Sequence, residues 1–317
     1  MTDHKNFPVS RRTVVQAGVA ATMTGALGGL GSSLAAAAAP APILRKIPST
    51  GEMLPAVGIG TNAFSVNAPD EMAAIRDVLQ QMPGQGGKVI DSAQAYGNSE
   101  EVIGRLLAEL GNRDKFFIAT KTPLAGDISG GAAVLDNSFK RLQVSRIDLL
   151  QIHNVYGLDE LMPLYQDYKK AGKIRYIGVT TSVNGQYEQL MAAMKKYPLD
   201  FIQVDYSIGN RDAADAVLPL AQEKGYAVLN NIPFGGRGRS FFPKVAGKPV
   251  PDFAKEFDAT TWAQFFLKYN LSNPVITAAI PGTTTPAYLL DNQQGGRGRL
   301  PDAAMRKRME AYWDAFA

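Results

Sequence analysis

Four residues of unlike chemistry stand in chain order at or just after the ends of predicted strands: Asp91, Tyr96, Lys121 and His153. Asp91 closes the apolar run Val89-Ile90, Lys121 closes Phe116 to Thr120, and His153 closes Ile147 to Ile152, while Tyr96 lies in the loop after the first run. Each alone has a structural reading, as a helix cap, a solvated strand end or a satisfied core histidine. Together they suit one chemistry. A lysine beside a tyrosine favours the phenolate, so a phenol of ordinary pKa, about 10, becomes a usable acid or base near neutrality. Asp91 would hold the lysine charged and in place, and a neutral His153 would orient a carbonyl oxygen by a hydrogen bond. Such a pocket gives a proton to a carbonyl that is becoming an alcohol. It has no electron source of its own, so the hydride must come from a cofactor.

These side chains meet only if the strands carrying them converge. After the first 40 or so residues, short apolar runs alternate with helical patterns. Strands are expected at Val57–Gly60, Val89–Asp91, Phe116–Lys121, Ile147–His153, Ile174–Val179, Phe201–Asp205, Ala227–Asn230 and Val275–Ile280. Helices are expected at Asp70–Gln81, Ser99–Leu110, Gly131–Leu142, Asp159–Ala171, Gly185–Lys196, Ala213–Lys224, Thr260–Tyr269 and Pro286–Asn292. This is an α/β pattern, and eight units in about 260 residues match a (β/α)8 TIM barrel. A doubly wound open sheet is the alternative, but no G-x-G-x-x-G follows the first strand. In a barrel, chemistry sits where strands run into loops, which is where the four residues fall. Ile43 to Leu54, with a Ser-Thr-Gly turn, is expected to form an N-terminal β-hairpin plugging the barrel floor. Pro301 to Ala317 is expected to be a C-terminal closing helix, packing Met305, Met309, Tyr312, Trp313 and Phe316 on the core. The loop from Phe234 to Asp258, with Phe241, Phe242, Phe253 and Phe257, is expected to be irregular and to wall the substrate site.

Composition narrows the field. The chain has 317 residues, no cysteine and two histidines. That excludes disulfides, thiolate-ligated metals and a cysteine nucleophile, and leaves no material for a His-rich metal site. The net charge of +4 does not suggest a nucleic-acid partner. A serine hydrolase would need a G-x-S-x-G elbow, which is absent.

Residues 1–38 read as a signal peptide, and 39–317 as the barrel domain. Ser10-Arg11-Arg12-Thr13-Val14-Val15-Gln16 resembles the twin-arginine export motif. From Thr13 to Leu44 there is no charge, and the run is too rich in Ala and Gly for a usual spanning helix. Small residues at Ala35 to Ala39 offer a cleavage site near Ala37 or Ala38. An uncleaved anchor is the alternative. The expected product is a periplasmic monomer, carried folded by the twin-arginine machinery and not inserted in the membrane after cleavage. Removal of the signal takes His4 with it and leaves His153 as the single histidine.

Over essentially the whole region after residue 38 the sequence resembles the aldo-keto reductase family. Val89 to Glu100 (VIDSAQAYGNSE) looks like its DTA…YG.SE signature, and Leu149 to His153 (LLQIH) like its D…L.H strand. Gly172 to Val179 and Gln203 to Ser207 are similar to its fifth- and sixth-strand segments. The resemblance implies an NAD(P)H-dependent oxidoreductase reducing an aldehyde or ketone. Tyr96 would be the general acid, tuned by Lys121 and Asp91, with His153 orienting a small carbonyl substrate. It also implies a nicotinamide site built from Gly60, Thr61, Thr180, Thr181, Gln203, Asn231, Phe234 and Gly235. Gly282, Thr283, Thr284, Tyr288 and Asn292 would lie toward the phosphate and adenine, and, by its place after strand seven, Arg237 or Arg239 is expected to fold over the pyrophosphate.

Several positions depart from the family pattern. Thr180-Thr181 stand where Ser-Asn is usual, and Asn231 where an aromatic ring usually stacks, with Phe234 near enough to compensate. The two cations that clamp a 2′-phosphate are replaced by Gly282 and Tyr288. The cofactor is therefore NADP or NAD, with the preference open. These losses also motivate an alternative function, an exported barrel with a lapsed reductase site that serves as a binding or accessory protein. The pentapeptide Gly-Gly-Arg-Gly-Arg occurs at 235–239, placed at the mouth, and at 295–299, placed at the opposite end.

Overall fold

The computed structural model describes residues 40–316, apart from 124, 125, 127, 237 and 239. The expected signal peptide, Arg237 and Arg239 lie outside the described residues. The turn at 49–51 reverses the chain with Gly51 at φ +79°, a conformation that glycine adopts without penalty. It joins β1 (Leu44–Lys46) to β2 (Met53–Pro55) in an antiparallel hairpin, as its residue types suggest.

Eight parallel strands follow in sequence order: β3 (Ile59–Gly60), β4 (Val89–Asp91), β5 (Phe117–Lys121), β6 (Ile147–Ile152), β7 (Ile174–Thr180), β8 (Phe201–Asp205), β9 (Ala227–Asn231) and β10 (Ile276–Ala279). Bridges Val57–Ala279 and Gly60–Gly282 bring the last strand back to the first, giving the (β/α)8 barrel. Val57 and Gly58 therefore belong to the closing seam with β10, which is why β3 is shorter than the apolar run suggests. Gly58 can lie there because it has no side chain: a Cβ would stand 2.7 Å from the Val89 carbonyl oxygen.

Alternate strand residues point inward. Val89, Phe117, Leu149, Tyr176, Phe201, Leu229 and Ala278 fill the barrel together with Ile47 and Leu54 of the hairpin. The hairpin thus does plug the floor. Phe117, Tyr176 and Phe201 meet with centroids 5.4–5.9 Å apart, each contact contributing about 0.5–1.5 kcal/mol beyond the area buried.

The outer helices are α1 (Pro69–Gln81), α2 (Ser99–Leu110), α3 (Ala132–Leu142), α4 (Leu158–Lys170), α5 (Tyr187–Lys196) and α6 (Val217–Lys224), then α7 (Phe242–Val245), α8 (Trp262–Leu271), α9 (Pro286–Gly295) and the closing α10 (Ala303–Asp314). α1 opens on Pro69, Asp70 and Glu71, a residue set suited to a helix N-terminus. α2 stops at Gly111, whose φ of +59° is a left-handed cap. On α10, Met309 and Trp313 are buried in the core, as their spacing predicts.

One expectation needs correction. The loop after β9 is not irregular throughout: it contains α7 and a 3-10 stretch over Asp252–Phe257. Phe253 and Phe257 pack against Phe265, so they serve the core and not a substrate wall.

Candidate active site

The inward alternation that fills the barrel changes chemistry at its upper rim. Above Val89 stands Asp91, two residues beyond Ala119 stands Lys121, and two beyond Leu149 stands Gln151. Strand register sets Lys121 beside Gln151, and Gln151 beside Gly178. Gly178 makes room for that amide, since a Cβ there would stand 2.9 Å from Gln151 Cγ. Further round, Thr180 pairs with Gln203 and Asp205 with Asn231.

Lys121 Nζ donates to Asp91 Oδ2 at 2.5 Å and to the Ser92 carbonyl at 2.7 Å. Both side chains are almost fully buried. Asp91 also accepts from Gln151 Nε2 on Oδ1 and from Gln203 Nε2 on Oδ2, each at 3.2 Å. Burial alone lowers the lysine's affinity for its proton. The adjoining Asp91 carboxylate, and then Tyr96, more than offset this, so the Lys121 pKa is raised and its charge is fixed.

Tyr96 is set by a tight loop. Its N–H donates to the Ala93 carbonyl and Ser99 N–H donates back to its own, each at 3.0 Å. Gly97 follows at φ +57°, and a Cβ there would clash with Ser65 Oγ at 2.2 Å. The glycine of the motif is therefore a fixed requirement of this turn. Glu100 of the same motif is structural: it is buried and accepts from Thr120 Oγ1 at 2.6 Å, tying α2 to the strand that carries Lys121. Lys121 Nζ lies 5.1 Å from the Tyr96 ring centroid.

His153 begins a 3-10 turn directly after β6 and is buried. Its ring stands edge-on to Tyr96, with centroids 6.0 Å apart at 82°. Burial first, and then the Lys121 charge, push its pKa down to about 3, with the Thr122 backbone acting the other way. The imidazole is therefore neutral at physiological pH.

A cleft of about 460 Å³ joins these four residues to Gly60, Thr61, Thr180, Gln203, Asn231, Phe234, Gly235 and Gly282. The other expected binding residues that the structure describes are not on its wall. Thr181 turns its hydroxyl to Gln186 and its carbonyl to Asn231 Nδ2. Thr283 closes a local turn with Thr285, and Thr284 is not on the wall either. Tyr288 is exposed, and Asn292 is buried. Two β-branched residues at the rim, Val155 and Ile232, sit at φ 53° and 51°, a left-handed conformation that costs each roughly 1–2 kcal/mol.

Gln151, whose amide holds Asp91, is a positioning residue that the sequence reading missed. The signal was present: it follows Leu149 by two, as Asp91 follows Val89.

Comparison with known proteins settles the family. The aldo/keto reductase family model matches residues 56–312. The chain belongs to the aldo/keto reductase family. It is thereby placed among the NAD(P)-dependent oxidoreductases. This aldo/keto reductase is 32% identical over 200 residues to the aldo-keto reductase YhdN of Bacillus subtilis, a match spanning 58% of the chain and 59% of that protein. A probable aldo-keto reductase of Glycine max is 27% identical, over 80% of this chain and 88% of its own. The holo form of a Bacillus halodurans aldo-keto reductase superposes with a TM-score of 0.69 at 21% identity, covering 86% of this chain and 96% of that one. A Klebsiella pneumoniae aldo/keto reductase in complex with NADP and acetate gives 0.67 at 20% identity, covering 85% and 95%. At such identities the superpositions speak for the shared fold.

Proposed function

We propose that the protein reduces an aldehyde or ketone to an alcohol, using a nicotinamide dinucleotide and Tyr96 as the proton donor. The observation that carries this reading is the buried Asp91–Lys121 pair next to the Tyr96 ring, in a cleft that also holds a neutral histidine. Tyr96 hands its hydroxyl proton to the substrate oxygen. The fixed Lys121 charge stabilises the phenolate left behind. Neutral His153 orients the carbonyl without competing for the proton.

The cleft fits a nicotinamide. Gln203 Oε1 and Asn231 Oδ1 are buried without partners among the described residues, while both residues line the cleft. They suit the N–H groups of a carboxamide. A Cβ at Gly60 would stand 2.9 Å from the Ile280 carbonyl oxygen, so the rim there is bare backbone. When bound, the cofactor supplies the hydride. With no cation at Gly282 or Tyr288, the protein accepts either NAD or NADP.

Residues 1–38 are proposed as a twin-arginine signal that delivers the barrel, folded, to the periplasm as a monomer. The reductase reading is tested by mixing purified protein with NADH or NADPH and a panel of aldehydes and ketones. Carbonyl-dependent loss of reduced-cofactor absorbance is expected. No oxidation with either cofactor across the panel contradicts the proposal.

A further inference from the structure

A cavity of about 410 Å³ lies at the opposite end of the barrel from the reactive cleft. The cleft sits where strands end, whereas this space opens where β9 and β10 begin. Its walls are the hairpin strand β1, the C-terminal half of α6 with Gly225 and Tyr226, and the segment Pro274–Thr277. Its volume is that of a small-ligand site.

The lining carries positive charge and no negative. Arg45 and Lys46 face the cavity from β1, and no aspartate or glutamate lines it. No ion pair joins either cation to a carboxylate among the described residues. Arg45 is half-buried, and burial lowers its pKa with no carboxylate acting the other way. Its Nη2 donates to the Leu271 carbonyl at 3.0 Å, at the C-terminus of α8, where a cation is favoured. That single neutral carbonyl fixes the guanidinium without neutralising it. Arg45 Nε is buried and has no acceptor among the described residues. A water there would satisfy the N–H and leave the charge uncompensated, whereas an anionic oxygen answers both.

Most of the remaining lining is apolar: Leu44, Pro48, Ala221, Pro274, Val275 and Ile276. Two polar groups of the wall are already engaged. Thr277 Oγ1 accepts from the Val228 N–H at 3.0 Å, and the Tyr226 hydroxyl donates to the Met194 carbonyl at 2.9 Å. Leu44 is exposed, so an apolar body laid against it removes surface that water now touches.

These features select a ligand class. A free phosphate would meet few donors and an apolar wall. A neutral hydrocarbon would cover Arg45 and leave its charge unanswered. A planar carboxylate matches an edge of the guanidinium, and a hydrocarbon body matches the rest of the lining.

We propose that this floor cavity binds a monocarboxylate with an apolar body, its carboxylate on Arg45 and Lys46 and its hydrocarbon against Leu44 and the start of β10. The assignment does not rest on the reductase reading.

The full chain, free of cofactor, is titrated with octanoate by calorimetry. Acetate, which lacks the apolar body, and 1-octanol, which lacks the charge, are titrated beside it. Octanoate should bind saturably, one per chain, and about tenfold or more tighter than either. Arg45→Met should weaken octanoate by about tenfold or more. Leu44→Glu sets a carboxylate at an exposed position on the rim, where folding tolerates it, and should weaken octanoate to a similar degree. Tyr96→Phe should leave octanoate affinity unchanged. No saturable binding at tens of millimolar, equal affinity for acetate or 1-octanol, or affinity unmoved by Leu44→Glu overturns the proposal. Binding lost in Tyr96→Phe but kept in both floor variants places the carboxylate in the reactive cleft and overturns it as well.

Discussion

The Asp91 carboxylate meets the Lys121 ammonium at 2.5 Å inside the barrel, with both side chains cut off from solvent. Removing one partner strands the other as a buried charge. Lys121→Met is therefore expected to abolish turnover and to lower stability by about 3–5 kcal/mol in urea unfolding. Replacing both, as Asp91→Leu with Lys121→Met, should recover most of that stability and none of the activity. Equal stability of the single and double variants would contradict this account of the pair.

His153 predicts a pH effect of definite sign. Its folded pKa is depressed from 6.5 to about 3, so between those values the unfolded chain binds a proton that the native chain refuses. Stability is then lost as pH falls from 6.5 toward 3, with this residue contributing a slope approaching about 1.4 kcal/mol per pH unit. Above pH 6.5 the contribution is flat. His153→Asn should flatten the acid limb of unfolding free energy against pH, and an unaltered limb would count against the neutral, buried histidine.

The two unpartnered amide oxygens at Gln203 and Asn231 predict cofactor affinity. Gln203→Leu removes one acceptor and should weaken NADH and NADPH alike by roughly tenfold, the effect of a single buried hydrogen bond. Exposed Tyr288 predicts the opposite selectivity: Tyr288→Arg should tighten NADPH several-fold and leave NADH unchanged. Equilibrium titration of both cofactors separates the cases, and an equal gain for NADH would remove the 2′-phosphate explanation.

The proposed export rests on Arg11 and Arg12. Replacing both with lysine keeps the charge but breaks the resemblance to the twin-arginine motif. Cell fractionation should then find the unprocessed protein in the cytoplasm, and undiminished periplasmic protein would exclude that route.

Much of the site was legible because a barrel strand reads two residues at a time. Val89-Ile90-Asp91 and Phe201-Ile202-Gln203 place a polar side chain directly above a core one, and the structure keeps both on the cleft. The same pattern marks Gln151 above Leu149, but an uncharged amide at a strand end is common in ordinary turns and does not by itself point to a site. Alternation also explains Thr181: a neighbour of inward Thr180 turns away from the cleft and caps a turn instead. Tyr288 and Asn292 share a helical face, yet one is exposed and the other buried, since a face meets the barrel along only part of its length. Phe253 and Phe257 lie too far along the chain from their partners on α8 and α10 for local spacing to show where they pack.

The central claim is that Tyr96 gives the proton. Steady-state reduction of an aldehyde by Tyr96→Phe, alongside a cofactor titration of the same variant, tests it most directly. Turnover is expected to fall by about 10²–10⁴-fold, as for loss of a general acid, with cofactor affinity unchanged. Turnover equal to that of the unaltered protein would show that the proton comes from elsewhere.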